Sequence, residues 1–254
     1  MDLIQQLFSL EGKTALVTGA RTGIGQAIAV GLAEAGADVI LLGHQDNMQE
    51  TEELVSRAGR SYQTVLADLS DPDQVESVVA PLVERTQIDI LVNNAGIIRR
   101  EPAQQYSREN WDQVINTNLT SLFLLTQLVA GPMLARKEGK IIHIASLLSF
   151  QGGILVPAYT ASKHAVAGLT KAFANEWAGQ NVQVNAIAPG YISTNNTEAL
   201  RQDPDRSTSI LGRIPAGKWG ESNDLVGSAI FLASRASDYV NGHILTVDGG
   251  WMSR

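Results

Sequence analysis

Short apolar runs alternate with longer stretches of helical period along this chain. The runs cover 14–17, 38–42, 62–66, 88–92, 140–145, 183–187 and 243–247. Most are apolar throughout rather than alternating, as expected for parallel strands covered on both faces. Helical patterns fall between them, near 24–35, 47–58, 72–86, 108–136, 158–178 and 222–233. Asp71-Pro72 marks the start of the third, with Asp as the cap and Pro at the first helical position. This alternation implies βαβ units with right-handed crossovers. The pattern therefore predicts an α/β fold: a doubly wound parallel sheet of about seven strands, with helices on both faces. No linker or internal repeat interrupts it, so residues 1–254 read as a single domain. Residues 190–220 break the rhythm, with polar clusters and only patchy helical periodicity. They follow a strand C-terminus, where α/β folds take their ligands, and a loop of that length is usually functional.

Four pieces of chemistry sit at the punctuation points of this pattern. Thr18-Gly19-Ala20-Arg21-Thr22-Gly23-Ile24-Gly25 joins the first strand to the first long helix. A glycine-rich turn there lets backbone approach a pyrophosphate, whose charge then sits at a helix N-terminus. Asn93-Asn94-Ala95-Gly96 ends the fourth strand with small residues, suited to a ligand lying against backbone. Asn118 falls inside a helical pattern, where Asn competes for backbone hydrogen bonds and often marks a kink. Tyr159 and Lys163 are four apart, so on a helix they share a face, and Ser146 lies thirteen residues upstream. A free Tyr titrates near ~10, and a neighbouring cation favours the phenolate. The pair is suited to giving and taking a proton near neutral pH.

Together these residues resemble the short-chain dehydrogenase/reductase family over essentially the whole chain. Asp68 after the third strand, Pro189-Gly190 after the sixth, Asn241-Gly242 and Val247-Asp248-Gly249-Gly250 fit as well. The resemblance implies a Rossmann-type sheet, a nicotinamide cofactor and catalysis by Asn118, Ser146, Tyr159 and Lys163. It implies a cofactor site of Gly19, Arg21, Thr22, Gly23, Ile24, Gly25, His44, Asp68, Leu69, Asn94, Ala95, Gly96, Tyr159, Lys163, Pro189, Gly190, Ile192 and Thr194. Ser146, Leu148, Gln151, Tyr159, Arg99 and Asn196 are the implied substrate contacts, with residues 190–220 as the segment over the substrate. By the same resemblance, Lys163 lowers the Tyr159 pKa and bonds the nicotinamide ribose, and Asn118 holds a water linking Lys163 to solvent. Asn93-Asn94-Ala95-Gly96-Ile97-Ile98-Arg99-Arg100, Ser149-Phe150-Gln151-Gly152-Gly153, Asn185–Tyr191, Thr194-Asn195-Asn196-Thr197 and Arg213-Ile214-Pro215-Ala216-Gly217-Lys218-Trp219-Gly220 resemble more closely the branch acting on keto-deoxy sugar acids. For the acid group of such a substrate, Arg99, Arg100, Arg213 and Lys218 are the candidate cations. Trp219 reads as a packing residue. Other short-chain reductases, acting on gluconate or on a carrier-bound 3-oxoacyl chain, are the alternative, and a non-catalytic dinucleotide sensor is a third reading.

An acid at the end of the second strand would select NAD, but Gly43-His44 stands there. Arg21 is available to a 2′-phosphate, so the residues leave NAD and NADP open, and the resemblance favours NAD. Composition adds exclusions. With no cysteine there is no disulfide framework, thiol nucleophile or Cys-ligated zinc. The four histidines, His44, His143, His164 and His243, show no metal-ligand spacing, and His143 reads as a packed core residue. The net charge of −7 argues against nucleic acid or an anionic membrane as partner. Residues 1–10 lack a secretory pattern, and 119–135 reads as too short and too broken for a membrane span. The expectation is a cytoplasmic enzyme with a small-molecule substrate. Residues 119–135 and 159–177 are more apolar than one sheet face requires, and with the resemblance this points to a homotetramer.

Overall fold

The structure is a computed structural model describing residues 2–254. Its elements are α1 (Leu3–Phe8), β1 (Thr14–Thr18), α2 (Gly23–Glu34), β2 (Asp38–Gly43), α3 (Gln49–Arg57) and β3 (Tyr62–Leu66). Then follow α4 (Pro72–Arg85), β4 (Ile90–Asn93), α5 (Arg108–Ile115), α6 (Ser121–Arg136), β5 (Gly139–Ile144) and α7 (Pro157–Trp177). The chain ends with β6 (Val182–Pro189), α8 (Glu198–Gln202), α9 (Pro204–Arg213), α10 (Val226–Ala233) and β7 (Ile244–Val247). The seven strands form one sheet in the order β3-β2-β1-β4-β5-β6-β7, and every pair is parallel.

Alternate residues of each central strand feed two separate cores, which explains why those strands are apolar throughout. On β1, Ala15 and Val17 join α2 and α10, while Leu16 faces α4 and α6. On β2, Val39 and Leu41 go to the first core and Ile40 and Leu42 to the second. On β4, Ile90 and Val92 divide from Leu91 in the same way. The sheet order reverses at β1, which lies between β2 and β4. A crevice opens at such a switch point because successive crossovers leave to opposite faces.

Two parts of the pattern come out differently. Arg108–Arg136 is one continuous helical run of 29 residues, with a π-helical turn at Asn116–Thr120 carrying Asn118. The run matches the helical pattern expected near 108–136; what differs is that the expected breaks within 119–135 do not interrupt it, and by length and composition alone it could cross a membrane. Pro132 is absorbed inside α6 rather than ending it. Its apolar face, including Leu125, Val129 and Met133, packs in the core shared with α4 and the sheet. Residues 190–220 contain two short helices, α8 and α9, in place of an unstructured loop. Asp203 caps α9 by accepting from the N–H groups of Asp205 and Arg206, at 3.1 and 3.0 Å.

Candidate active site

A cleft of about 1100 Å³ lies along the C-terminal ends of the strands. Every residue of the cofactor and substrate sets implied by the resemblance lines it, including Ser146, Tyr159 and Lys163, whereas the candidate cation Lys218 does not. Asn118 is the exception among the expected catalytic residues; it sits directly behind the wall.

The β1–α2 turn is built for close approach. Gly19 has φ +66°. A Cβ on Gly25 would lie 2.2 Å from the Gly19 carbonyl oxygen and 2.4 Å from Asn94 Nδ2, so no side chain fits there. The turn is held from outside: Thr51 Oγ1 donates to the Ala20 carbonyl at 2.9 Å, and Gln26 Nε2 to that of Arg21 at 3.2 Å. Thr18 Oγ1 accepts from the N–H groups of Asn94 and Ala95 at 3.0 and 2.9 Å, and Asn94 Nδ2 donates to the Thr18 carbonyl at 2.9 Å. The ends of β1 and β4 are thus locked together. The α2 N-terminus carries no side-chain cap bond, and its first residues, Gly23, Ile24 and Gly25, line the cleft. An uncapped helix start beside a wall without side chains fits a pyrophosphate. At the far end, His44, Arg21 and Asp68 line the cleft together. The Ser70 N–H, 2.9 Å away, holds the Asp68 carboxyl below the usual carboxylate range.

At the other end, Ser146 leaves β5 in extended conformation, and its Oγ accepts from the Leu148 N–H at 3.1 Å. Tyr159 and Lys163 share one face of α7, with Lys163 Nζ 5.6 Å from the Tyr159 ring centroid. Lys163 Nζ donates to the Ile144 carbonyl at 2.6 Å. Burial lowers the Lys163 pKa to about 8. Burial also pushes the Tyr159 phenol above its ordinary value, while the Ser146 hydroxyl and the Arg100 guanidinium pull it back. The expectation that Lys163 sets a lowered Tyr159 pKa is therefore corrected: desolvation outweighs the lowering contacts, and the ammonium is turned to a backbone carbonyl. Asn118 Oδ1 accepts from the Ile97 N–H at 2.8 Å, and its Nδ2 donates to the Ile97 carbonyl at 3.0 Å and to Ser162 Oγ at 3.3 Å. These bonds tie the π-turn to the segment after β4.

The comparisons with known proteins agree with this geometry. A family model described as enoyl-(acyl carrier protein) reductase matches residues 19–252. The 2-dehydro-3-deoxy-D-gluconate 5-dehydrogenase of Bacillus subtilis (strain 168) is 63% identical over 254 residues, covering 100% of both chains. The chain belongs to the short-chain dehydrogenase/reductase family. The enzyme of the same name from Dickeya dadantii (strain 3937) is 55% identical, over 99% of this chain and 100% of its own. Among solved structures, a proposed 2-deoxy-D-gluconate 3-dehydrogenase from Agrobacterium tumefaciens with bound NADP superposes with TM-score 0.93. It shares 55% identity and covers 97% of this chain and 99% of its own. This short-chain dehydrogenase/reductase is accordingly a nicotinamide-dependent oxidoreductase.

The substrate end of the enzyme differs in detail from the sequence reading. Arg99, Arg100 and Arg213 line the cleft, whereas Lys218 does not and lies 4.0 Å from Asp224. Trp219 packs edge-on against Tyr191 at 5.5 Å, away from the cleft. Sequence reasoning missed Arg206, Ser209 and Ile210 on α9, and Trp251 near the C-terminus, all of which line the cleft. The helical spacing of 206, 209, 210 and 213 was the available signal for the first three. His143 lies inside the sheet layer, with Nδ1 3.0 Å from Thr170 Oγ1, and is a core residue. Among the described residues, no three of His, Asp or Glu gather as a metal site.

Proposed function

We propose that this enzyme interconverts the 5-hydroxyl and 5-keto forms of 2-dehydro-3-deoxy-D-gluconate, a step of uronate and pectin breakdown. One observation carries the reading. Ser146, Tyr159 and Lys163 line one cleft with a glycine cradle, in a chain 63% identical over its full length to an enzyme of that name. Gly19, Arg21, Thr22, Gly23, Ile24, Gly25, Asn94, Ala95 and Gly96 would hold a nicotinamide dinucleotide, which would supply hydride exchange with carbon. Asp68, Leu69 and His44 would hold its adenosine end, and Pro189, Gly190, Ile192 and Thr194 its nicotinamide end. In oxidation Tyr159 removes the hydroxyl proton, and in reduction it returns it. Its raised pKa means that it rests as the phenol, the form that donates in reduction. Ser146 donates to the reacting oxygen and holds it within reach of Tyr159. Lys163, on the same face of α7 as Tyr159, would bond the nicotinamide ribose. Asn118 clamps the wall behind Lys163 through Ile97 and Ser162 and would hold the water that links Lys163 to solvent. Leu148, Gln151, Arg99 and Asn196 surround the sugar chain.

The absence of an acid after β2 leaves the enzyme able to use either nicotinamide, with NAD modestly favoured by resemblance. The enzyme acts in the cytoplasm as a homotetramer. Phe123, 37% exposed on α6, stacks on Phe173 at 6.1 Å beside Trp177, an apolar face suited to a second copy. Absorbance at 340 nm with each nicotinamide tests the reading, using 2-dehydro-3-deoxy-D-gluconate, D-gluconate and a 3-oxoacyl thioester as substrates. The deoxy keto acid should be turned over best; preference for either of the others assigns the enzyme to that reaction instead. A monomer mass in light scattering would refute the tetramer.

A further inference from the structure

The wall that closes the substrate end of the cleft is one face of α9. Arg206, Ser209, Ile210 and Arg213 all line the cleft, at the i, i+3, i+4, i+7 spacing of a single helical face. Ile210 is buried against Leu147, Ile214 and Trp251, so it anchors the helix while the two arginines flank it. They stand about 10 Å apart along the axis. The C-terminal end of α9 is tied down. The Arg213 guanidinium lies 4.0 Å over the Trp251 ring, Arg254 Nη2 donates to the Gly212 carbonyl at 2.9 Å, and the Ala216 N–H to that of Gly249 at 2.9 Å. The N-terminal end, where Arg206 sits, follows the short α8 and is capped by Asp203.

The other cations of this end already have partners. Arg99 Nε donates to Gln113 Oε1 at 3.1 Å, and Arg100 Nη2 to the Asn196 carbonyl at 3.1 Å. The α9 N–H groups are capped by Asp203, so the helix end itself offers an anion nothing. The Arg206 guanidinium has no hydrogen-bond or ion-pair partner among the described residues, and it is exposed to the cleft. It reaches the Tyr191 hydroxyl electrostatically, lowering the phenol against the upward push of burial.

We infer that Arg206 is the residue that recognises the substrate's carboxylate, presented to the cleft by the face of α9 that Ile210 anchors. This rests on the sugar-acid reading above. An arginine with five free donors takes a carboxylate in two parallel hydrogen bonds, which an uncharged sugar cannot reproduce. Selectivity for the acid therefore lives on α9 rather than beside the catalytic residues.

The test compares native enzyme with Arg206→Met and Arg206→Lys, on 2-dehydro-3-deoxy-D-gluconate and on its analogue with the carboxylate reduced to an alcohol. The ratio of kcat/KM for acid over alcohol should fall at least tenfold in Arg206→Met, through KM more than kcat, and recover in part in Arg206→Lys. An unchanged ratio in Arg206→Met, with native enzyme still preferring the acid, overturns the inference and leaves the sugar-acid reading standing. Should native enzyme not turn over the acid at all, that reading fails, and binding still decides the inference. D-gluconate should then quench tryptophan fluorescence of the cofactor-loaded protein at least tenfold more tightly than D-glucitol, and Arg206→Met should erase the difference. Equal gluconate affinity in native and Arg206→Met protein overturns the inference.

Discussion

His143 should make this enzyme acid-sensitive by an amount that can be worked out. The ring is fully buried on β5, with Nδ1 3.0 Å from Thr170 Oγ1 and Nε2 3.4 Å from Thr126 Oγ1. Both hydroxyls already donate to carbonyls of their own helices, of Val166 and Leu122 at 2.8 and 2.7 Å. Both hydroxyls therefore face the ring as acceptors, Nδ1 donates across the shorter contact to Thr170, and it is burial that keeps His143 neutral. Burial, with a smaller push from Lys163, lowers its pKa to about 3. The unfolded value is about 6.5, so below that pH the unfolded chain binds a proton that the folded chain refuses. Stability falls as pH drops, with a slope approaching ~1.4 kcal/mol per unit, until the folded pKa is reached. Between pH 7.5 and 5.0 the loss is about 2 kcal/mol. That figure is set almost entirely by the unfolded pKa, because the folded value lies well below 5.0. Urea unfolding at both pH values, at one protein concentration, measures it. His143→Gln keeps a donor for Thr170 and cannot charge. Native protein should lose about 2 kcal/mol more than this variant over the interval, with the shared carboxylate titrations cancelling. Parallel losses in the two proteins would show that the ring charges inside the fold, and the argument would fail.

Three further outcomes follow from the cleft. Tyr159→Phe should lower kcat by roughly 10²–10⁴-fold, while cofactor fluorescence titrations stay near native, because the ring packing is kept; near-normal turnover would remove Tyr159 from proton transfer. Gly25→Ala should weaken dinucleotide binding and cost about 1–3 kcal/mol of stability, since its Cβ would meet the Gly19 carbonyl at 2.2 Å; native affinity by calorimetry would contradict the cradle. Arg21→Ala should lower efficiency with NADP relative to NAD by several-fold, as Arg21 and His44 line the cleft end without an acid from β2; an unchanged ratio would place 2′-phosphate recognition elsewhere.

Much of this enzyme is written in local sequence. Burial on both faces of a parallel strand demands apolar runs, so the order of strands and helices could be read directly. Tyr159 and Lys163 share a face because any helix puts i and i+4 together. The glycines before α2 announce a backbone that must come close to something. Asn118 signalled a departure from regular helix, and the π-turn is that departure. Other features depend on contacts that no local window contains. The helix at Leu3–Phe8 is held by a two-way cap between Asp2 and Gln5, too short a signal to stand out from a polar start. The Tyr159 pKa turns on how deeply the phenol is buried and on which carbonyl Lys163 faces, both set by packing of α7 on β5. Residues 190–220 looked like a loop because α9 offers only Ile210 as a buried residue. That single apolar contact suffices because Trp251, 41 positions later, is brought beneath it by β7. A helix with one buried side chain is not stable on its own propensity. The sequence alone thus determined the sheet and the identity of the catalytic groups. Tertiary packing decided which cations reach the cleft, because that depends on the C-terminus folding back against a helix it meets only in three dimensions.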